Sequence, residues 1–302
     1  MSLSIGIVTK DRPETIKGTL ERLSELNLDD KVIVVDGSES EETEKVCDKF
    51  DVNYIEQDEG RRVAARNQVL ENCETEYLAY IDDDAQVSNN WFEAIKENFE
   101  EENVVGVTGR LEGETPELGG ISGKVRELLF GGKEDFGEIL NNGVINGDFF
   151  YNERKEVDHM VGCNMAFDVE ALREVGGFQE EYDIGNAYRE ETAPSYRMKN
   201  KGKIVYNPDT SVDHLKQGDE DHSDATWMFY NPYLTRYFLT QEDVIKGFSG
   251  HLEHFLITKL RHFYFLSKSI LNKDMLYLYY LIGELLGIRD FLLFDRRPSE
   301  YV

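Results

Sequence analysis

Three consecutive aspartates, Asp82, Asp83 and Asp84, follow the apolar run Tyr77–Ile81. Three like charges where a strand should emerge are costly unless a cation or solvent compensates them. A hard divalent cation prefers oxygen ligands and bridges readily to phosphate oxygens, and open α/β sheets bind ligands at the carboxyl ends of their strands. The triplet therefore predicts either a metal–diphosphate site at a strand end or a solvated acidic turn, and alone it favours neither.

The elements that would position this triplet alternate between short β-branched runs and helical patterns. The predicted strands are Leu3–Thr9, Lys31–Val35, Val52–Ile55, Tyr77–Ile81 and Val104–Thr108. The predicted helices are Pro13–Leu26, Glu41–Phe50, Arg61–Asn72 and Trp91–Phe99. Such alternation predicts an α/β fold with a mostly parallel sheet and right-handed crossovers.

Beyond residue 110 the pattern is glycine-rich and polar before regular signals return. We predict further helices near 125–129, 168–175 and 190–201, regular structure over 157–167, and a strand over 203–206. From Thr226 onward the sequence is helical and aromatic throughout.

Charge also divides the chain near Thr226. The 302 residues carry a formal net charge of -27, yet residues 226–302 hold 9 Lys or Arg and 8 Asp or Glu, a net of +1. Residues 1–225 therefore carry -28. We predict a catalytic domain over 1–225, with halves 1–110 and 111–225, and a helical, aromatic-rich subdomain over 226–302. Such a subdomain is typical either of a cover over one flank of the sheet, with an oligomer contact, or of a surface at a bilayer interface.

The composition excludes several classes of protein. A chain this acidic has no basic footprint for nucleic acid, and its self-repulsion suggests the hypothesis of a salt-loving source. Three distant cysteines, Cys47, Cys73 and Cys163, indicate a reducing compartment and no zinc site. The first apolar run, Ile5–Val8, is too short for a signal peptide, and no run reaches the roughly 20 apolar residues of a membrane span. We expect a soluble or peripheral protein.

Two further groups of side chains could bind a nucleotide. Thr9 and Asp36 end adjacent predicted strands, where a hydroxyl and a carboxylate can bond a nucleobase edge, although Asp36 could instead form a turn with a helix cap nearby. Arg61, Arg62 and Arg66 gather at one helix start, which favours a diphosphate. Ordinary surface ion pairs with neighbouring acids are the alternative.

An ordered set of motifs carries a family resemblance. Its segments are Val8–Pro13, Val34–Ser38, Gly60–Asn67, Ile81–Asp84, Gly162–Phe167, Gly176–Phe178, Arg189–Glu191, Arg197 and Pro208–His214. Together they resemble the inverting, metal-dependent glycosyltransferases of family 2, in particular archaeal and bacterial enzymes of surface-glycan and lipid-linked oligosaccharide assembly. The resemblance covers about residues 3–214. It implies the GT-A fold of nucleotide-diphospho-sugar transferases, a Rossmann-like mixed sheet flanked by helices, with a helical C-terminal segment outside the motifs.

The resemblance also implies roles for the donor-binding residues. Thr9, Asp11 and Arg12 would lie at the nucleotide, and Asp36 would accept the ring N–H of uracil or a similar base. Arg62 and Arg66 would bind the diphosphate, with Arg62 the better match to the family pattern.

For the metal, the family's Asp-x-Asp pattern maps to Asp82 and Asp84, with Asp84 a direct ligand. Asp83 or Asp82 would bind the ribose or a metal-bound water. His214 matches a position where many relatives place a metal-binding histidine, although a structural histidine at a strand end is the alternative. His222, in the polar loop after it, is a weaker candidate.

For the catalytic base, the resemblance implies Glu191, preceded by Glu190. The usual family motif ends in Asp, so this chain departs from it by one methylene. Glutamates near a helix start are also favoured by the helix dipole alone.

These motifs imply transfer of one sugar, with inversion, from a nucleotide-diphosphate sugar, in first place a UDP-sugar, using Mg²⁺ or Mn²⁺. The acceptor would be a hydroxyl or phosphate on a glycan or on a polyprenyl- or dolichol-phosphate-linked carrier, in protein glycosylation or surface-polysaccharide assembly, in the cytoplasm or at the cytoplasmic membrane face. No QxxRW motif occurs, which disfavours a processive synthase. The alternatives are a non-catalytic nucleotide-sugar-binding or scaffolding member and, ranked lower, a sugar-phosphate nucleotidyltransferase.

Overall fold

The protein was analysed as a computed structural model that describes residues 1–58, 61–112, 120–185, 187–214, 225–293 and 297–298. Its backbone groups into two compact units. The first contains residues 1–115, 149–179 and 194–219, and the second contains residues 116–148, 180–193 and 220–302. The domain boundaries predicted at residues 110 and 225 stay a prediction.

Nine strands form one sheet among the described residues. They are β1 (Leu3–Thr9), β2 (Val32–Asp36), β3 (Asn53–Glu56), β4 (Tyr77–Asp82), β5 (Ala85–Val87), β6 (Val104–Leu111), β7 (Lys155–Val157), β8 (Asn164–Asp168) and β9 (Lys203–His214). The shorter helices are α1 (Pro13–Glu25), α2 (Glu42–Cys47), α3 (Arg62–Glu71), α4 (Trp91–Phe99), α5 (Gly120–Phe130), α6 (Val169–Glu174) and α7 (Thr192–Met198).

The sheet is mixed, in the order β3-β2-β1-β4-β8-β6-β9-β5, with β7 on β9. Strands β3, β2, β1 and β4 are parallel, as the alternating pattern predicted. The prediction of a mostly parallel sheet is wrong beyond β4, because β8 inserts antiparallel between β4 and β6. The mixed sheet implied by the family resemblance is the one observed.

The parallel half folds as its sequence dictates. All five residues of β2 are buried, as expected for a parallel strand covered on both faces. Helix α1 begins with Pro13, whose missing N–H is harmless in the first turn, and buries Ile16, Leu20 and Leu23 along one face. These side chains join the core formed by β1 and its neighbours.

Two boundaries differ from the sequence prediction and matter for function. The helix predicted from Glu190 begins at Thr192, because Ala187 and Arg189 have φ values of +56° and +75°, which no helix accommodates. Strand β9 continues past Tyr206 to His214, and the short strand β5, which no periodicity predicts, pairs with its end.

The second unit carries the predicted helical C-terminal region. Its long helices are α8 (Ala225–Gln241), α9 (Gly247–Asn272) and α10 (Leu276–Gly287), followed by a π-helical turn over Ile288–Leu293. Phe265 of α9 stacks on Tyr280 of α10, with ring centroids 4.0 Å apart. None of the helices among the described residues has both the length and the hydropathy that crossing a membrane requires.

Candidate functional site

Three strand ends line up at one edge of the sheet in the first unit. In the parallel register, Thr9 of β1 pairs with Asp36 of β2, and Val8 pairs with Asp82 of β4. The Gly37 N–H donates to the Thr9 carbonyl at 2.9 Å. Asp36, Thr9 and Asp82 therefore share the carboxyl edge, where sheets of this type bind ligands.

Asp83 is fastened to this edge by bonds inside the protein. Its Oδ2 accepts from Thr9 Oγ1 at 2.6 Å, its Oδ1 accepts from Arg12 Nη1 at 2.7 Å, and its carbonyl accepts from Thr19 Oγ1 at 2.7 Å. Burial raises the pKa of Asp83 to about 6, although the Thr9 hydrogen bond and Arg12 oppose the rise. The inward carboxylate holds the turn in place, and the predicted contact of Asp83 with ribose or water stays a prediction.

Asp84 faces His214, which arrives on a different strand. Ala85 of β5 is paired with His214 of β9, so the imidazole lies beside the acidic triplet. His214 Nε2 lies 3.0 Å from Asp84 Oδ1 and 3.6 Å from Asp82 Oδ2. Arg12 Nη2 donates to Asp84 Oδ2 at 2.8 Å, so each oxygen of the buried Asp84 carboxylate has a nitrogen neighbour, Arg12 at Oδ2 and His214 at Oδ1.

Electrostatics keeps Asp82 and Asp84 ionised. Burial alone would raise the pKa of Asp84, but His214 and Arg12 lower it below its ordinary value. Burial likewise opposes the fall at Asp82, whose pKa is lowered by His214, Arg66 and Arg62. The two carboxylates in turn raise the pKa of His214 to about 10. Two ionised aspartates therefore face a protonated imidazole, which must lose its proton before its nitrogen can bind a metal ion.

The donor set fits a divalent metal ion. One ligand atom each from Asp82, Cys163 and His214 lie within 4.8 Å of one another, and Asp84 Oδ1 offers a further oxygen 3.0 Å from His214 Nε2. One or two carboxylates suffice for Mg²⁺, and an imidazole suits Mn²⁺. The predicted ligands Asp82, Asp84 and His214 are thus brought together, although their role as ligands stays a prediction.

Cys163 is the member of this group that the sequence analysis did not place in the site. Its thiol is free and buried. Ile81 pairs with Asn164 in the antiparallel ladder of β4 and β8, which carries Cys163 to the end of β4 beside Asp82. Cys163 was not predicted there because the sequence did not reveal that β8 runs antiparallel beside β4. Local sequence does not show which strands pair with each other.

The two candidate phosphate-binding arginines differ in their surroundings. Arg66 is buried, and its Nη2 lies 3.4 Å from Asp82 Oδ1 and donates to the Gly162 carbonyl at 3.2 Å. Arg62 is the exposed first residue of α3, and its charge contributes to the lowered pKa of Asp82. Gly60, which begins this motif, and His222 lie outside the described residues.

Asp36 and Asp11 are joined through Ser38. The Asp36 carboxylate is 1% exposed and accepts from the Ser38 N–H at 2.9 Å and from Tyr54 Oη at 3.0 Å. Ser38 Oγ accepts from the Asp11 N–H at 2.7 Å, and Asp11 has a φ of +54°. This is the turn that the sequence offered as the alternative for Asp36. The contact between Asp36 and a nucleobase stays a prediction.

The candidate base lies in the second unit. Glu190 is buried, whereas Glu191 is half-buried and accepts from Thr192 Oγ1 at 3.3 Å just before α7. The preceding Arg189 is anchored by its Nε, which donates to Thr235 Oγ1 of α8 at 3.1 Å. A turn with a left-handed φ value, held by the buried Arg189, thus precedes α7. Glu190 and Glu191 lie between this turn and the helix.

Comparison with known proteins gives one family. A family model described as Glycosyl transferase family 2 matches residues 4–176. The chain is 28% identical over 119 residues to the succinoglycan biosynthesis protein ExoM of Rhizobium meliloti (strain 1021). That match covers 36% of this chain and 38% of the relative, so this chain spans little more than a third of that protein's length.

Solved structures share the fold at low identity. The mannosyltransferase PcManGT of Pyrobaculum calidifontis, in complex with GDP-Man and Mn²⁺, has a TM-score of 0.61 and 12% identity, over 95% of this chain and 86% of that one. GalNAc-T7 with UDP, GalNAc and Mn²⁺ has a TM-score of 0.58 and 13% identity, over 81% and 51%. Residues 1-349 of S. aureus TarS give 0.57 and 13%, over 95% and 81%.

Proposed function

The chain belongs to glycosyl transferase family 2 and has its GT-A fold, and from this premise we propose that it is a metal-dependent inverting glycosyltransferase. It moves one sugar from a nucleotide-diphosphate sugar to an acceptor hydroxyl or phosphate. The observation that carries the proposal is the group formed by Asp82, Asp84 and His214, in which two ionised carboxylates lie beside an imidazole nitrogen at a strand end.

The donor site is assigned to the carboxyl edge of β1, β2 and β4. Asp82, Asp84 and His214 hold Mg²⁺ or Mn²⁺, which when bound stabilises the negative charge of the leaving diphosphate. Arg62, exposed at the start of α3, binds a phosphate oxygen. Arg12 keeps Asp83 and Asp84 in place, since its two terminal nitrogens bridge their carboxylates.

Glu191 is proposed as the general base. The acceptor oxygen attacks the anomeric carbon from the face opposite the leaving group, the bond to the diphosphate breaks, and the acceptor proton passes to the Glu191 carboxylate. One displacement of this kind inverts the anomeric centre. Thr192 Oγ1, 3.3 Å from Glu191 Oε1, holds the carboxylate at the start of α7.

The donor, the acceptor and the location are proposed from the comparisons and the composition. Structural neighbours were solved with UDP and with GDP-Man, and the motif at Asp36 suits uracil, so a UDP-sugar is proposed first. ExoM is named for succinoglycan biosynthesis, which supports a glycan or lipid-linked acceptor in surface-polysaccharide assembly. A cytoplasmic protein adapted to high salt is proposed from its net charge of -27.

A thermal-shift screen of nucleotide sugars, with and without Mn²⁺ or Mg²⁺, followed by a transfer assay, tests the proposal. Asp84→Asn should abolish the metal-dependent shift by donor, whereas Asp51→Asn, at an exposed position, should keep it. Glu191→Gln should lose transfer but keep donor binding, with the exposed Glu102→Gln as its control.

The results also separate the alternatives. A non-catalytic member would bind donor in every variant that retains Asp84 and transfer nothing even as wild type. A sugar-phosphate nucleotidyltransferase would release pyrophosphate from a nucleoside triphosphate. Transfer by Glu191→Gln at the wild-type rate would remove Glu191 from the mechanism, and donor binding by Asp84→Asn that still needs metal would remove Asp84 as a ligand.

A further inference from the structure

Helix α9 turns polar side chains inward and apolar ones outward, the reverse of an ordinary surface helix. The side that packs against the second unit carries Gly250, His254, Thr258, Arg261 and Ser269, with Ile257 and Phe265 as its large apolar members. His254 Nδ1 lies 2.8 Å from the Asn142 carbonyl, and Arg261 Nε donates to the Leu129 carbonyl at 2.8 Å. The inner side of α9 therefore combines hydrogen bonds with a few apolar contacts.

The opposite side of α9 is apolar and exposed. Phe248, Leu252, Phe255, Phe263, Leu266 and Ile270 are three, four or eight residues apart, so they form one stripe along the helix. Phe248, Phe263 and Ile270 are 85%, 72% and 68% exposed. An ordinary amphipathic helix buries such a stripe. An apolar stripe this long on the outer side marks a surface that contacts an apolar environment.

The charge on α9 indicates which apolar environment the exposed stripe contacts. The chain carries -27, yet α9 contains three cations, Lys259, Arg261 and Lys268, and one acid, Glu253. Lys259 lies within the stripe, with Nζ 5.4 Å from the centroid of the Phe255 ring, and Lys268 Nζ lies 5.6 Å from the Tyr264 ring. Two copies of α9 facing each other would bring like charges together, whereas an anionic lipid surface complements a locally cationic helix.

We propose that the exposed stripe of α9 docks the protein on a bilayer that contains anionic lipid. The helix lies in the plane of the interface, with its phenylalanines and leucines among the upper acyl chains and its lysines at the head groups. Attachment through this stripe is peripheral, because the helix lies on the interface and does not cross it. This goes beyond the proposed transfer reaction and can be measured without it.

Sedimentation of the full chain with vesicles tests the proposal. Wild type should bind vesicles of phosphatidylcholine plus phosphatidylglycerol and bind pure phosphatidylcholine vesicles more weakly. The triple variant Phe248→Ser, Phe263→Ser, Ile270→Ser should bind at least about tenfold more weakly, because each change removes an apolar side chain from the interface. Leu128→Ser, 58% exposed on α5, is the matched control and should bind like wild type. Lys259→Glu should weaken binding to the anionic vesicles only.

The results that would contradict the membrane proposal can be told apart from one another. Wild type that stays in the supernatant with anionic vesicles, or a triple variant that binds them as wild type does, overturns the proposal. Light scattering that shows a dimer in wild type and a monomer in the triple variant, without vesicle binding, would assign the stripe to a second copy instead. The variants change exposed side chains, so circular dichroism and donor-induced thermal shifts should be unaltered; a lost donor shift would concern the proposed function and not this surface.

Discussion

Nε2 of His214 lies 3.0 Å from Oδ1 of Asp84, because the ladder of β5 and β9 pairs Ala85 with His214. Residues 130 positions apart are thus joined at one strand end by backbone register, and the register itself depends on a strand of three residues. The imidazole supplies the nitrogen that a carboxylate cluster alone lacks. This relationship makes the metal site testable one side chain at a time.

His214→Ala should weaken Mn²⁺ binding at least about tenfold, since it removes an imidazole nitrogen that binds the ion once its proton has been displaced, 3.0 Å from Asp84 Oδ1. Calorimetric titration of the protein with Mn²⁺, without donor, measures this directly. His251→Ala, at an exposed position of α9, should titrate like wild type. Equal Mn²⁺ affinity in all three proteins would exclude His214 as a ligand.

Cys163 should give the site an affinity for soft ions. Its sulfur lies within 4.8 Å of ligand atoms of Asp82 and His214, and thiolate ligands favour soft ions such as Cd²⁺ over hard ones. Burial and the charge of Asp82 raise the pKa of the Cys163 thiol, so Cd²⁺ must displace its proton. We expect Cys163→Ser to weaken Cd²⁺ binding strongly and Mn²⁺ binding little.

The ultraviolet absorption of the sulfur–cadmium bond, followed during a Cd²⁺ titration, reports on this contact. Cys73→Ser, at another buried free cysteine, serves as the control and should keep the band. A band that persists in Cys163→Ser and disappears in Cys73→Ser would show that a different thiol binds the ion.

The sequence predicted the parallel half of the fold and the family, and both are confirmed. Strand β1 and helix α4 were predicted to the residue, because buried β-branched runs and helical spacing are local signals. The direction of β8 and the existence of β5 were not predictable. Both depend on pairing between segments that are distant in sequence. A strand of three to five residues is too short to show a hydrophobic period.

The candidate site shows the same distinction between local signals and pairing across the chain. Asp82, Asp84 and Arg12 were identified because each lies within a few residues of a strand end. Cys163 was missed because it enters through an antiparallel neighbour. The structure adds that Asp83 is turned inward to Thr9 and Arg12, a difference between adjacent aspartates that sequence cannot express.

His254 should make stability fall in mild acid. Burial and the neighbouring Arg236 lower the pKa of His254 from 6.5 to about 4. Its Nε2 lies 2.6 Å from Arg236 Nη1, while Glu284 of α10 and Arg261 of α9 are the other charges around it. Because the folded pKa is below the unfolded one, the stabilisation is complete above pH 6.5 and is lost as pH falls through 4. The loss should approach ~3 kcal/mol.

Urea unfolding at several pH values between 7 and 4 measures this loss. His254→Gln retains polar contacts to Asn142 and Arg236 without a titrating ring, so the stability difference between wild type and this variant should shrink as pH falls. His251→Gln, with an exposed side chain, should follow wild type at each pH. A difference that stays constant with pH would show that His254 titrates alike in the folded and unfolded states.

Gly109 and Gly18 should respond oppositely to alanine. A Cβ on Gly109 would lie 1.8 Å from the Thr210 carbonyl oxygen, where β6 and β9 approach at an irregularity in their register. Gly109→Ala should therefore destabilise the protein by about 3 kcal/mol or more, since backbone must move. Gly18 lies inside α1 with no atom within 4 Å of an added Cβ, so Gly18→Ala should stabilise by roughly 0.5–1 kcal/mol. Urea unfolding of both variants checks the pair, and a tolerated Gly109→Ala would contradict the close approach that sets the β6–β9 register leading to His214.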